Sequence, residues 1–225
     1  MSVAQTATWA ESFPFASLEA KLKLGLEQAN IVLPDAACEK LMVYLALLQK
    51  WNKVHNLTAV RDAEEMVTLH LLDSLVILPH VNGERLLDVG SGAGLPGIPL
   101  AICLPDLKVT VMDSSQKKAS FMRQVKAELN IPNLEVMCGR VEQFKPKEKF
   151  DIVVSRAFSE ISLFIKLTKH LIKDNGQWLA MKGVYPEGEL AQIDAKPSQI
   201  VPLSVPGLDA QRHLVFIPFS HLGVV

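Results

Sequence analysis

The stretch Leu86-Leu-Asp-Val-Gly-Ser-Gly-Ala-Gly-Leu-Pro-Gly-Ile-Pro-Leu100 constrains the fold more than any other part of the chain. An apolar run ends in Gly90, Gly92 and Gly94, which tolerate positive φ and let the main chain approach a ligand closely. Pro96 and Pro99 follow, and proline suits the first turn of a helix, where a missing amide costs little. Strand, tight turn and helix in immediate succession open a βαβ unit, which commits the strands to a parallel sheet. From Gly92 to Gly97 the letters Gly-Ala-Gly-Leu-Pro-Gly also match the dinucleotide-binding fingerprint, so the cofactor has to be decided by other residues.

The remainder of the chain fits such a sheet. Short apolar runs at 85–89, 108–112, 134–137, 150–154 and 177–181 are separated by segments long enough for crossover helices. Two further runs, 200–205 and 213–219, flank a loop with Pro206 and Gly207 and predict a C-terminal antiparallel hairpin. Upstream, apolar residues from Leu18 to about Pro79 recur at helical spacing, as in Leu41, Tyr44, Leu45, Leu48 and Trp51. Asp35 and Asp62 are expected at helix starts, where a carboxylate accepts orphan backbone donors. The expected organisation is a helical N-terminal extension over residues 1–82 and an α/β domain over 83–225.

With 225 residues, 49% of them hydrophobic, the chain can bury a substantial core. A formal net charge of -1 gives no global attraction to nucleic acid, so a polyanion would need a local basic face. Cys38, Cys103 and Cys138 are odd in number and far apart, which argues against a disulfide framework or a structural zinc site. No secretory signal or membrane span is legible, and a soluble cytoplasmic protein is expected. The charged run at 145–149 reads as a solvated loop.

Asp88 separates the cofactor readings. It precedes Gly90 at a strand end, where nicotinamide enzymes place an apolar residue, and its carboxylate could orient the glycine loop or meet a cationic amino group. Pro96 removes an amide close to where a pyrophosphate would bind. Asp113 ends the second strand, where an acid accepts the hydroxyls of a ribose from either cofactor. Asp-Val-Gly-Ser-Gly-Ala-Gly94 resembles the first motif of class I (Rossmann-like) S-adenosylmethionine-dependent methyltransferases, with Asp113 as the second.

Absent residues narrow the methyl acceptor. The fourth strand leads into Val153-Val-Ser-Arg-Ala-Phe158, without the Asn/Asp-Pro-Pro-aromatic motif of exocyclic amine methylation. Methylation at a pyrimidine C5 needs a cysteine nucleophile there, and no cysteine follows Cys138. A ring nitrogen such as guanine N7 has an exposed in-plane lone pair and needs no general base, only in-line positioning without a covalent enzyme intermediate. Arg156 suits that acceptor, because a guanidinium matches guanine O6 and N7 or a phosphate.

Five blocks in order carry a closer resemblance: Lys50 to Arg61, His70 to Leu75, the glycine loop with Leu95-Pro-Gly-Ile-Pro99, Ser155 to Phe158, and Leu208 to Leu214. Over nearly its whole length the chain resembles the RsmG/GidB family of bacterial 16S ribosomal RNA guanine-N7 methyltransferases. The resemblance implies a mainly parallel Rossmann-like sheet behind a helical extension. It implies S-adenosyl-L-methionine as donor and 16S ribosomal RNA or the small ribosomal subunit as partner, with no metal, no membrane and a monomeric enzyme. It places cofactor contacts on Gly90, Leu95, Val141, Glu142 and Arg156, with Asp113 at the ribose and Asp88, Gly92 and Gly94 shaping the loop. From spacing alone Val141-Glu142 serves equally as a helix start after a strand.

For the substrate, Arg140, Arg156 and Lys182 follow successive strand ends and are expected to converge at the carboxyl edge of the sheet. Lys117, Lys118, Arg123 and Lys126 on one helix are candidates for phosphate contacts or a plain solvated face. His55, His70 and His213 lack metal-ligand spacing and are expected to hydrogen-bond or to touch RNA. Trp51 is expected in the core. A 2'-O or small-molecule methyltransferase using Lys182, and a binding-only module, remain the alternatives.

Overall fold

The computed structural model of the chain describes residues 13–156, 158, 160–191, 193 and 197–222. The first twelve residues of the expected extension, and Ala157 of the Ser155–Phe158 block, lie outside them. The helical third comprises α1 (Phe15–Gln28), α2 (Asp35–His55), α3 (Ala63–Met66), a π-helical segment Val67–Leu72 and α4 (Asp73–Leu75). β1 (Arg85–Val89), α5 (Gly97–Cys103), β2 (Lys108–Asp113), α6 (Gln116–Glu128), β3 (Leu134–Cys138) and β4 (Phe150–Ser155) follow. α7 (Ile161–Thr168), β5 (Ile172–Lys182), α8 (Glu187–Leu190), β6 (Gln199–Pro202) and β7 (His213–Pro218) complete the chain.

The strands form one seven-stranded sheet in the order β3-β2-β1-β4-β5-β7-β6. β1 to β5 pair in parallel, and β7 runs antiparallel to both β5 and β6. After β1 the chain builds outward through β2 and β3, then returns to lay β4 on the other side of β1. The carboxyl ends of β1 and β4 therefore flank a topological switch point, where open α/β sheets form their crevice. Ser155 Oγ donates to the Val89 carbonyl at 2.7 Å and laces those two ends together.

The period-two alternation of side chains sorts the core into two layers. Leu86, Val109, Val111, Ile152 and Leu179 face one cluster that also holds buried residues of α1, α2, α5 and α6. Leu87, Val89, Val153 and Trp178 face the other, beneath α7. One core thus runs across residue 83: the helical third covers a face of the sheet.

Two strand boundaries differ from the sequence reading by more than one residue. β5 starts at Ile172, five residues before the expected Gln177, because the polar run Lys173-Asp-Asn-Gly176 spans a register shift opposite Phe150 and Ile152. β6 ends at Pro202 and not at Val205, since proline has no amide for the ladder and Leu203 turns to bond the Arg212 carbonyl. Asp35 and Asp62 stand at helix starts as expected: Asp62 caps α3 through the Glu65 amide at 2.9 Å, and Asp35 is the first residue of α2, with Pro34 at the cap position and the Asp35 carboxylate on Lys23 Nζ.

The glycine loop is held from two directions. Beneath it, Asp88 is fully buried, with one oxygen accepting from the Gly97 amide at 2.8 Å. Gly97 is required there: a Cβ would lie 2.4 Å from Val111 Cγ1 and 2.8 Å from Asp88 Oδ2. Above it, the buried Tyr44 hydroxyl of α2 donates to the Ala93 carbonyl at 2.9 Å. Tyr44→Phe leaves that carbonyl unpaired and is expected to lower unfolding free energy by about 1–3 kcal/mol in urea titrations.

Burial pushes the Asp88 carboxyl up to about 7 against the pull of its Gly97 hydrogen bond. Its folded pKa exceeds its unfolded one, so the folded state holds a proton that the unfolded chain has released between about pH 4 and pH 7. Stability is therefore expected to fall as pH rises through that window, by at most about 1.4 kcal/mol per pH unit from this group. Urea titrations of the parent chain and Asp88→Asn across pH 4–7 should show the flatter profile in the variant; parallel profiles would refute it.

Candidate functional site

Three cavities adjoin along the carboxyl edge of the sheet. The first, about 390 Å³, lies over β1, β2 and β3 and is lined by Gly90, Met112, Asp113, Arg140, Val141 and Glu142 among others. The second, about 290 Å³, is lined by Gly90 to Ala93, Leu95, Thr58, His70, Lys118 and Arg156. The third, about 430 Å³, is lined by His70, Asp73, Arg156, Lys182 and Arg212 together with Val60, Leu69, Met181 and Gly183. Gly90 and Lys118 belong to the walls of the first two, and His70 and Arg156 to those of the last two. The result is a continuous trench over the switch point.

The loop amides show what this trench can hold. Gly90 and Ser91 donate to the Met112 carbonyl, Gly92 to Asp113 Oδ2, Gly94 and Leu95 to the Ser91 carbonyl, and Gly97 to Asp88. Those six amides serve the protein itself, so the loop offers no cradle of free donors for a diphosphate. Space is present instead. A Cβ on Gly92 would meet nothing within 4 Å, and its φ of 60° is one that glycine adopts freely. Asp88 holds the loop from below and, with no exposed surface, does not reach the cavity.

Asp113, at the end of β2, accepts from Gly92, from Ser115 at 2.9 Å and from Lys118 Nζ at 3.3 Å, and still lines the first cavity. A carboxylate there suits a pair of ribose hydroxyls. Val141 is buried and Glu142 exposed in a 3-10 turn on the same wall. The expected cofactor residues are thus divided: Asp113, Val141 and Glu142 surround the first cavity, Gly92 and Leu95 the second, and Gly90 both. Asp88 and Gly94 line neither.

The three expected substrate cations do not all meet. Arg156 and Lys182 share the third cavity, whereas Arg140 is exposed beside the first, on the far side of the glycine loop. Lys182 Nζ bonds both oxygens of Glu189 at 3.0 and 2.7 Å and the Phe158 carbonyl at 3.1 Å, acceptors enough for all three of its protons. Arg156 donates to the Leu69 carbonyl at 3.0 Å and to Asp73 Oδ2 at 2.8 Å. The other oxygen of Asp73 accepts from Arg212 Nε at 2.8 Å. One buried carboxylate thereby fixes two guanidiniums, each about a quarter exposed, at the mouth of the cavity.

Asp73 and Arg212 stand inside the sequence blocks quoted above, yet nothing local singled them out. Their spacing of 139 residues becomes a contact only through the sheet. The π-helical segment sets its side of the wall, presenting Leu69 O to Arg156 and His70 to both cavities. His70 Nε2 pairs with Thr58 Oγ1 at 2.9 Å, and burial, followed by the nearby Arg156 charge, pushes its pKa down to about 4. It is neutral near pH 7. Lys117 bonds the His55 carbonyl and Lys118 bonds Asp113, so both work within the fold. His213 Nδ1 pairs with the Gly183 carbonyl at 2.9 Å. Trp51 packs half-buried against the core near Phe121, its indole donating to Gln124. Among the described residues no cluster of three metal-ligating side chains occurs, and no helix is long and apolar enough to cross a membrane.

Comparison with known proteins gives the fold and the family. In fold, the chain matches an S-adenosylmethionine-dependent methyltransferase from Aquifex aeolicus with a TM-score of 0.53, at 20% identity over 65% of this chain and 89% of that one. In sequence, it is 66% identical to the ribosomal RNA small subunit methyltransferase G of Methylobacillus flagellatus, over 89% of this chain and 98% of the relative. The protein of that name from Chromobacterium violaceum is 55% identical, over 87% and 95%. Residues 37–215 match the family described as GidB, rRNA small subunit methyltransferase G, and the chain belongs to that family.

Proposed function

We propose that the chain transfers a methyl group from S-adenosyl-L-methionine to N7 of a guanine in 16S ribosomal RNA, acting as a soluble cytoplasmic enzyme. The observation that carries this reading is the wall shared by the second and third cavities, where His70 and Arg156 stand between the glycine loop on one side and Arg212 on the other. The cofactor supplies an electrophilic methyl on sulfur. Asp113, Val141 and Glu142 would hold its nucleoside end, and the Gly90–Leu95 loop would leave room for its amino-acid end.

The residues of the third cavity favour an acceptor that keeps its protons. Asp73 is engaged by two arginines, Glu189 by Lys182 and the Ile161 amide, and His70 is too weak a base to deprotonate a hydroxyl or an amine. The in-plane lone pair of guanine N7 needs none of them. Arg156 and Arg212 can turn their remaining donors toward O6 or a flanking phosphate, holding N7 in line with the methyl group while the walls exclude water. These engagements also count against the 2'-O alternative, which would need Lys182 or a free carboxylate as base.

Arg156→Ala is expected to lower methyl transfer to small-subunit RNA by about 100-fold through misplacement of the acceptor. Arg156→Lys should recover little, because protons diverging from one nitrogen cannot hold Leu69 and Asp73 and also present the planar pair of donors that a guanidinium offers to O6 and N7. The reading is tested by incubating unmodified small ribosomal subunits with methyl-labelled S-adenosylmethionine and identifying the product by mass spectrometry of the digested RNA. 7-Methylguanosine is expected; label on a ribose oxygen or an exocyclic amine, or no label at all, would overturn it.

A further inference from the structure

Resting on the reading of the trench as an RNA site, we infer that Val184 and Tyr185 form a stacking platform for an unpaired nucleotide of the substrate, next to the one whose base enters the third cavity. Lys182 and Gly183, the residues immediately before them, line that cavity. Val184 is 77% exposed and Tyr185 49% exposed, two adjacent large apolar side chains left facing solvent at the cavity's edge. Among the described residues, the other exposed large hydrophobics, Leu24, Val32, Val54 and Leu163, belong to α1, the α1–α2 turn, α2 and α7 and are neither sequence neighbours nor lining residues of the trench.

The platform is built rather than merely exposed. His213 pairs with Lys182 in the β5–β7 register and binds the Gly183 carbonyl through Nδ1 at 2.9 Å. The same imidazole meets the Tyr185 ring nearly edge-on, with centroids 5.6 Å apart and planes at 86°. Buried Pro186 anchors the chain directly after it. Tyrosine held this way presents a large flat surface at little conformational cost, and every nucleobase offers it a π-face. Charge selects the partner. A Cβ on Gly183 would lie 3.8 Å from a terminal nitrogen of Arg212, so the platform adjoins a guanidinium that also walls the cavity. Of the acids that follow in α8, Glu189 is paired with Lys182, and Glu187 is exposed. A phosphate on Arg212 between a base in the cavity and a base on Tyr185 matches a single strand leaving the site. A double helix, with its bases stacked internally, offers no face to the ring.

The test is steady-state methyl transfer to unmodified small-subunit RNA by the full chain, alongside calorimetric affinity for S-adenosylmethionine and thermal melting. Tyr185→Ala is expected to raise KM for the RNA about tenfold, while cofactor affinity and melting temperature stay with the parent. Tyr185→Phe and Tyr185→Trp should restore KM to within about twofold, because stacking needs the ring and not the hydroxyl. An unchanged KM in Tyr185→Ala would overturn the platform while leaving the methyltransferase reading standing. So would rescue by Tyr185→Leu equal to that by Trp, which would mean an apolar protein contact in place of a base. A parent chain that transfers no methyl to RNA overturns both readings.

Discussion

The short hydrogen bond from the Gly97 amide to the buried Asp88 carboxylate is the constraint on which the site depends. It ties the start of α5 to the end of β1, with the whole glycine loop between them. Gly97 has to be glycine for that approach, and the amide that a diphosphate would seek at a helix start is already taken. The amides of Gly90, Ser91, Gly92, Gly94 and Leu95 turn inward to Met112, Asp113 and Ser91, so the loop becomes a shaped wall with an open concavity at Gly92. A fingerprint that reads as phosphate-binding thereby becomes a surface for a ligand without phosphate. The aspartate makes the difference.

The helical third completes the site from the other side. Tyr44 reaches down from α2 to the loop, Thr58 and His70 close the second cavity, and the π-helical segment turns Leu69 O toward Arg156. Sheet and helices share one core, so the trench walls are fixed by the same apolar packing that holds the chain folded. Because the walls come from both, neither part alone encloses the third cavity.

The order of elements was legible because each strand is a short apolar run between glycine, proline or charged segments, and because the glycine loop announces its own turn. The β5 start was not, since Lys173 to Gly176 look like a loop and lie in the register shift between the paired residues Ile172 and Gln177. In the site, Asp113 and Arg156 could be found from their places at and after strand ends, whereas Val141 stood out only through the family resemblance. Asp73 and Arg212 could not, because their meaning lies in one contact made across 139 positions of sequence. Lys182 looked available and is paired, by a glutamate that joins it only once the loop after β5 has folded back.

That contact also explains how a chain with a formal charge of -1 can present a positive face to a polyanion. Two guanidiniums side by side repel, and in a partly buried wall the repulsion is poorly screened. Asp73, with almost no exposure, offers each of them one oxygen, so that the trio carries a single net positive charge and both side chains stay about a quarter exposed. A buried ion group of this kind contributes little net stability, because desolvation offsets much of the attraction. Its effect is positional. It places cationic donors over the switch point in a chain whose formal net charge is -1, so on the proposed reading RNA binding rests on a few local contacts and not on the overall field of the protein.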